Sequence, residues 1–389
     1  MENKNNKVRP IRHGASLVAG GAIGAGMFAL PLAAAGAWTV WTFIGLLTVC
    51  GLTFLAASIL LDVHKRFELG TSFHTLVLKS FGPVLAWINN LSIVFIMLIL
   101  MYAYITAGGR ILKSDLLTSF DFLPSLFFAA VVAIVVWLGA TLVSRVSMLL
   151  IALMAASFIL VMLSLTPQMN ASSLLATGGD VGLQALWMAI PVFVAAFACG
   201  GIVPSLVDYY QGDISRARTS VVSGVLLSLI VYVVWVFGCF AVVGQAELSR
   251  LAGQGGGLSE LLLSLKSGGG PSYIVWLLNW FSHFAVITSF LSIALGLVHF
   301  LIDRLGLEHT VRSRFIATVI AFLPPTFASL IAPYGFVTAI AFAGFFVAIS
   351  FFIIPALLYI KHYQWNIKAV VVMSAGLAVI LLKGFKHFV

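Results

Sequence analysis

The run Gly20-Gly21-Ala22-Ile23-Gly24-Ala25-Gly26, followed by Pro31, lies inside the first long apolar segment of the chain. Each glycine costs a helix up to about 1 kcal/mol, and a proline costs about 3 kcal/mol. We therefore predict that this helix is interrupted. A second run of the same kind, Cys199-Gly200-Gly201-Ile202-Val203-Pro204, lies near the centre of a later apolar segment. Together the two runs predict a pair of broken helices.

The composition places these helices in a membrane. The 389 residues are 61% hydrophobic and 8% charged, whereas about 25% of the residues in a soluble protein are charged. The ten-residue alternating pattern of a membrane β-barrel is absent, so we predict an all-α membrane protein. Eleven apolar segments are long enough to cross the hydrocarbon core as helices. They are 14–36, 38–61, 83–108, 122–140, 146–166, 183–208, 219–243, 272–302, 313–332, 334–360 and 367–383.

The basic residues predict the orientation of the spans. With the N-terminus inside, fifteen of the 21 Lys and Arg residues fall on the inner side, as the positive-inside rule requires. We predict a multi-pass protein with a cytoplasmic N-terminus and a periplasmic C-terminus. The long polar stretch 244–271 is predicted to be an external loop with one interfacial helix. Because the basic residues are scattered rather than clustered, no nucleic-acid partner is expected.

The two broken helices are the first and the sixth spans. An inverted repeat of five plus five helices requires this odd separation between corresponding elements. We predict a single domain, 1–389, with one repeat at about 14–166, a second at about 183–360 and an additional helix at about 367–383. Unwound backbone at bilayer depth is tolerated where it lines a cavity, so the paired breaks predict a binding site. For one glycine run alone, close helix packing is the alternative interpretation.

The first break also resembles a known motif. Ile23-Gly24-Ala25-Gly26-Met27-Phe28, followed by Leu30-Pro31-Leu32, resembles the first helix of the hydroxy and aromatic amino acid permeases, within the amino acid/polyamine/organocation superfamily. The resemblance continues through all eleven spans, for example at Leu61-Asp62-Val63, Ile202-Val203-Pro204-Ser205, Phe322-Leu323-Pro324-Pro325 and Ile354-Pro355. It implies the LeuT-like fold and import of tyrosine, tryptophan or phenylalanine across the bacterial inner membrane by symport with a cation, usually a proton. It implies no enzymatic activity and no cofactor.

The resemblance further implies which residues bind the substrate. Amides in the first break would meet the substrate carboxylate, and carbonyls in the second break would face its ammonium group. The predicted substrate-binding residues are Ile23, Ala25, Gly26, Met27, Tyr104, Phe197, Ala198, Cys199, Gly200 and Gly201. Many aromatic-acid permeases carry an aromatic–His pair where this chain has Cys199-Gly200. The smaller side chains leave space for a ring as large as indole.

Two sites are candidates for the coupling ion. Among the titratable residues, His283 alone lies near the centre of a span, and histidine is the side chain that titrates near neutral pH. Ala285, Thr288 and Ser289, with the carbonyls of Gly20 and Ile23, are similar to the sodium site of symporters with this fold. Their oxygens suit a hard cation, although both hydroxyls could instead bond to their own helix. The resemblance favours proton coupling, and sodium coupling is the alternative.

Two alternative functions are considered beside this prediction. A transporter of another neutral amino acid, such as serine or threonine, is a second possibility within the same family. A channel is the alternative outside transporters, but it needs a continuous polar or charged pore lining, which the spans do not offer. Asp62, Asp208 and Asp303 end spans at the inner face, where we expect them to pair with nearby Lys or Arg. The lipid bilayer is the expected environment, and the sequence predicts no particular oligomeric state.

Overall fold

The computed structural model describes residues 9–116, 122–175, 182–267, 272–308 and 310–385. Every regular element within these ranges is a helix. The α-helices are α1 (Ile11–Ala22), α2 (Ala29–Ala33), α3 (Trp38–His64), α4 (Phe73–Phe81), α5 (Pro83–Leu116), α6 (Leu123–Leu138), α7 (Ala140–Leu165), α8 (Ala171–Leu175), α9 (Gly182–Ala196), α10 (Val203–Tyr209), α11 (Ile214–Val243), α12 (Gln245–Gly253), α13 (Leu258–Ser267), α14 (Ser272–Arg304), α15 (Val311–Ile331), α16 (Phe336–Ala348), α17 (Ile354–Tyr363) and α18 (Ile367–Phe385). Short 3₁₀ turns cover Ala25–Phe28, Thr166–Gln168 and Gly200–Ile202, and a π-helical turn covers Ile349–Ile353.

Eight stretches of the described chain are apolar and long enough to cross a membrane. They are Trp38–His64, Pro83–Lys113, Ala140–Gln168, Gly182–Tyr209, Ile214–Val243, Tyr273–Arg304, Val311–Ile331 and Phe336–Tyr363. The bent pair α1 and α2 raises the number to nine, and two further apolar helices, Leu123–Leu138 and Ile367–Leu382, are shorter. The prediction of an all-helical, multi-pass membrane protein is confirmed. The count of eleven spans stays a prediction.

The polar stretch 244–271 differs from the prediction, because its described part contains two helices, α12 and α13, instead of one. Gly268 to Pro271 lie outside the described residues. Glu260 on α13 forms an ion pair with Arg110 on α5, and the Arg110 guanidinium lies 4.5 Å from the centre of the Tyr334 ring. The second oxygen of Glu260 accepts the Gly257 N–H at 2.8 Å. These contacts hold the loop against the spans, which hydropathy alone does not reveal.

Small residues bring the central helices into close contact. A Cβ at Gly224 on α11 would lie 2.5 Å from the Val18 Cβ on α1. A Cβ at Gly344 on α16 would overlap the carbonyl oxygen of Pro191 on α9. The two broken helices are therefore each tied by backbone proximity to a long neighbour, as is common where membrane helices pack through glycine.

Acidic residues at the predicted inner face have local partners. Asp62 pairs with Lys65 and with Arg218, each at 2.7 Å, which confirms the pairing predicted for this residue. The Asp208 carboxylate instead accepts the backbone N–H of Gly70 at 2.8 Å. The difference arises because the turn after α3 reaches Asp208 with its main chain. Both carboxylates serve to fix the ends of spans.

A candidate substrate site between two broken helices

The first break lies between α1 and α2. Helix α1 ends at Ala22, Gly24 has extended backbone (φ −168°, ψ −154°), and a 3₁₀ turn then leads into α2. Helix α1 and the helical segment Ala25–Ala33 are bent by 49°. Gly24 approaches α14 so closely that a Cβ there would overlap the Ser289 hydroxyl oxygen. The predicted interruption is confirmed, and a glycine is required at position 24 by the contact with Ser289.

The second break lies between α9 and α10. Helix α9 ends at Ala196, and the chain resumes helical hydrogen bonding in the 3₁₀ turn at Gly200. Pro204, in the first turn of α10, needs no N–H partner there. This break is also confirmed. Like the first break, it separates two α-helices by six residues, here 197–202.

Both breaks open into one cavity of about 280 Å³. Its walls come from the two breaks, from α5, from α14 and from the α16 region including the π-helical turn. Seven of the predicted residues line it: Gly20, Gly26, Tyr104, Ala198, Cys199, Gly201 and Ser289. The other eight do not: Ile23, Ala25, Met27, Phe197, Gly200, His283, Ala285 and Thr288.

The first break offers main-chain groups that are free to bind a ligand. Within the described ranges, the carbonyls of Gly20 and Gly21 and the amides of Gly24 and Gly26 have no hydrogen-bond partner in the protein. All four residues line the cavity. Buried backbone groups of this kind are normally paired. The first break therefore supplies both donors and acceptors to a polar ligand.

The second break contributes a similar set. The carbonyls of Phe197 and Ala198 and the amides of Gly200 and Gly201 are without protein partners among the described residues. Ala198 and Gly201 line the cavity. An unpaired carbonyl or amide away from water is costly, so this arrangement requires a polar ligand or solvent in the cavity.

The Ala25 amide, which was predicted to bind substrate, is instead hydrogen-bonded to Ser289. The Ala25 amide donates to the Ser289 Oγ at 3.0 Å, and Ser289 donates in turn to the Ala285 carbonyl at 2.9 Å. Thr288 donates to the Phe284 carbonyl at 2.7 Å. Both hydroxyls thus bond to their own helix, which is the alternative arrangement considered for the sodium site. No cluster of metal-binding His, Cys, Asp or Glu occurs in the part of the chain that the structure describes.

The predicted residues outside the cavity have other neighbours. Met27 and Ala25 are fully buried in the core. Phe197 packs edge-on against the Tyr232 ring, with centroids 4.9 Å apart. His283 is half-buried, and its ring lies 6.3 Å from that of Trp280. These residues support the walls of the site or lie beside it.

Several residues at the site were not predicted from the sequence, among them Phe351 and Tyr232. Phe351, on the π-helical turn, lines the cavity, and a Cβ at Gly200 would lie 2.5 Å from its ring. Tyr232 donates from α11 to carbonyls at both breaks. A signal existed for Tyr232, since a phenol inside an apolar span needs an acceptor. No comparable signal marks Phe351, although π-helical turns often occur at functional sites.

A second cavity, of about 530 Å³, lies on the other side of the breaks. Val192 and Ala341 line this cavity, whereas Ala195 and Ile340 line the 280 Å³ cavity. Val192 and Ala195 are neighbours one turn apart on α9. The layer of protein between the two cavities is therefore about one helical turn thick along α9, roughly 5 Å.

Comparison with known proteins assigns this architecture to a family. The model of the tryptophan/tyrosine permease family matches residues 7–385. The chain belongs to the tryptophan/tyrosine permease family. Similar proteins include the tryptophan-specific transport protein of Haemophilus influenzae, 34% identical over 89% of this chain and 86% of the relative. The low affinity tryptophan permease of Escherichia coli K12 is 31% identical, over 98% of this chain and 97% of its own length.

Relatives in this permease family also include the tyrosine-specific transport system 1 of Haemophilus influenzae, 30% identical over 87% of this chain and 85% of the relative. These relatives are named as transport proteins and permeases rather than enzymes. The resemblance drawn from the first-helix motif is thereby confirmed at the level of the family, as is the prediction that the protein is a transporter and not an enzyme.

Proposed function

We propose that this permease imports an aromatic amino acid, with tryptophan as the first candidate, across the bacterial inner membrane. The observation that carries the proposal is the cavity of about 280 Å³ into which both helix breaks open. This volume is close to the lower end of the roughly 300–1,000 Å³ range of small-molecule sites. Relatives named for tryptophan and for tyrosine supply the substrate class.

The main chain of the breaks suits the two charged ends of a free amino acid. The Gly24 and Gly26 amides are the donors for the carboxylate. The carbonyls of Gly20, Gly21 and Ala198 are the acceptors for the ammonium group. Broken membrane helices commonly bind charged substrates in this way, with half-helix ends and unwound backbone at the site. Recognition by backbone agrees with the absence of charged side chains among the described residues that line the cavity.

The remaining walls suit an aromatic ring. Ile93, Met97 and Leu100 on α5 line the cavity opposite the breaks, and Phe351 lies beside them. Burial of an aromatic side chain against such a surface is favourable, and the Phe351 ring allows aromatic contact. Serine or threonine would leave these apolar walls uncovered. The lining thus favours an aromatic substrate over the hydroxy amino acids that were considered as an alternative.

For the fold we propose the five-plus-five inverted repeat with eleven spans. In this arrangement the shorter apolar helices α6 and α18 also cross the membrane, with the N-terminus in the cytoplasm and the C-terminus in the periplasm. The two broken helices occupy corresponding positions in the repeats. Spans 1, 2, 6 and 7 rock against spans 3, 4, 8 and 9 to expose the site alternately to each side.

For energy coupling we propose a proton, with sodium as the alternative. The Ser289 oxygen already accepts the Ala25 amide, which leaves it less available as a sodium ligand, because a hydroxyl oxygen has two lone pairs. His283 is the candidate proton carrier, because it is a histidine within the α14 span, six residues before the cavity-lining Ser289. The test is to impose the two gradients separately.

Purified protein in proteoliposomes provides the decisive experiment. Labelled tryptophan, tyrosine, phenylalanine and serine are supplied in turn, under an inward proton gradient or an inward sodium gradient. We expect saturable accumulation of tryptophan under the proton gradient and little accumulation of serine. Failure to accumulate any aromatic amino acid under either gradient would contradict the proposal. Flux that does not saturate with substrate would indicate a channel instead.

A further inference from the structure

Tyr232 links the two helix breaks through a single hydroxyl group. The side chain is fully buried, and its hydroxyl oxygen lies 2.6 Å from the Ala22 carbonyl oxygen and 2.7 Å from the Ala196 carbonyl oxygen. Ala22 is the last residue of α1, and Ala196 is the last residue of α9. The end of a helix releases carbonyls that need other partners. One carbonyl from each break thus meets the same atom of a third helix.

The phenol has only one proton to share between these two carbonyls. Both distances lie within the range for O–H···O hydrogen bonds. A full hydrogen bond to one carbonyl therefore weakens the bond to the other. Either carbonyl can leave the hydroxyl while the other retains it, so the phenol is never without an acceptor in this apolar interior.

Packing determines which of the two bonds is the more permanent. Helix α11 lies against α1 so closely that a Cβ at Gly224 would be 2.5 Å from the Val18 Cβ. Tyr232 is therefore held to the α1 side of the site. On the α9 side its ring packs edge-on against Phe197, with centroids 4.9 Å apart. The bond to Ala196 is consequently the one that opens first when the broken helices move apart.

We propose that Tyr232 is a positioning residue that donates its proton in turn to the two breaks during transport. It keeps the Ala22 bond while the second broken helix moves, and it restores the Ala196 bond on return. This inference rests on the proposed transport function and deepens it, since it names the group that couples the two broken helices. This role requires a single hydrogen-bond donor at position 232. Without a donor the two breaks separate too readily, and with two donors they separate too slowly.

Tyr232→Phe removes the hydroxyl and leaves the ring. We expect the maximal rate of tryptophan uptake per folded transporter to fall roughly tenfold, because a buried carbonyl loses its donor. KM should change by less than about threefold, because Tyr232 bonds to Ala22 and Ala196 and to none of the groups proposed to bind substrate. Tyr210→Phe is the matched control, since this buried hydroxyl bonds to Ser220 and to the Pro10 carbonyl, away from the breaks.

Alkylation of Cys199 measures the separation of the two breaks independently of transport. It lines the cavity within the second break, and the other two cysteines, Cys50 and Cys239, are replaced by alanine for this measurement. In that background Tyr232→Phe should raise the rate of Cys199 alkylation by a small maleimide at least about threefold, because local opening is easier. The Tyr210→Phe control should label at the rate of the parent protein.

Replacement of Tyr232 by 4-aminophenylalanine tests the effect of adding a donor instead of removing one. Its two N–H donors can bond to Ala22 and Ala196 at the same time. We expect slower Cys199 alkylation than in the parent protein, together with a lower maximal uptake rate. Thermal unfolding in detergent establishes that each variant is folded. If Tyr232→Phe does not fold, the uptake and alkylation rates of the 4-aminophenylalanine variant test the inference on their own.

Two results would overturn the inference about Tyr232. One is an equal loss of uptake in Tyr232→Phe and Tyr210→Phe. The other is a 4-aminophenylalanine variant that transports and labels as the parent protein does. A parent protein that imports no aromatic amino acid but shows the expected alkylation rates would refute the proposed function while supporting the role of Tyr232. The two failures are therefore distinguishable.

Discussion

Gly24→Ala tests whether the first break must meet α14 through Ser289. A Cβ at position 24 would overlap the Ser289 hydroxyl oxygen, and the next atom, the Ser289 Cβ, would lie at 3.4 Å. The backbone itself permits alanine, because a φ of −168° is extended. The expected obstacle is thus the hydroxyl, which would have to rotate away from the new methyl group.

The magnitude follows from the bonds that this rotation breaks. Ser289 would lose the Ala25 amide at 3.0 Å and the Ala285 carbonyl at 2.9 Å. Each hydrogen bond contributes about 0.5–1.5 kcal/mol net, and overpacking a filled site costs about 1–3 kcal/mol. A combined cost of about 3 kcal/mol corresponds to a loss of roughly two orders of magnitude in rate. Tryptophan uptake by Gly24→Ala should fall by about that factor.

The assay is the initial rate of tryptophan uptake in proteoliposomes, per folded transporter, in a double-mutant cycle. Ser289→Ala removes the hydroxyl and leaves the Cβ at 3.4 Å, which is an ordinary contact. Alone it should lower uptake roughly tenfold through the unpaired Ala25 amide. Gly24→Ala should then add less than about a twofold loss in that background. An equal effect of Gly24→Ala with and without the Ser289 hydroxyl would refute the reasoning.

Gly200→Ala should lower uptake at least about tenfold by overpacking, because its methyl group would lie 2.5 Å from the Phe351 ring. Gly201→Ala should retain most uptake, because its methyl group would lie 3.5 Å from that ring. Similar uptake rates for the two variants would contradict this contact. Gly26→Leu should abolish uptake without loss of membrane insertion, and Gly26→Ala should be tolerated because the nearest atom would be 3.9 Å away; normal uptake by the leucine variant would refute the site assignment. His283→Gln should remove accumulation driven by a proton gradient and preserve exchange of labelled for unlabelled tryptophan, and retained proton-driven accumulation would exclude His283 as the proton carrier.

Local backbone properties make part of this architecture predictable. The cost of glycine and proline in a helix depends on the residue and its neighbours along the chain, so the amino-acid sequence alone locates both breaks. The apolar runs likewise predict helices in a membrane. The predicted boundaries are less accurate. The apolar run ends at 108, but helix α5 continues to Leu116, since hydropathy predicts the part of a helix within the membrane and not its end.

Contacts between distant parts of the chain were not predictable. Ser289 was recognised as a candidate ion ligand, but its hydrogen bond to the Ala25 amide depends on how α14 packs against the first break. The same holds for Tyr232 and Phe351, whose roles follow from helices that meet only in three dimensions. A single sequence shows which groups need partners and does not show which partners they find.

The thin layer between the two cavities has an electrical consequence. In the proposed transporter the two cavities face opposite sides of the membrane. Once water fills both of them, the membrane potential would fall mainly across the roughly one turn of α9 that separates them, rather than across the full 30 Å or so of hydrocarbon. A monovalent charge that crosses this layer experiences most of the approximately 2.3 kcal/mol that 100 mV supplies. In the proposed transport cycle, the voltage-sensitive work would thereby be confined to a displacement of a few ångströms, next to the glycines of the first break.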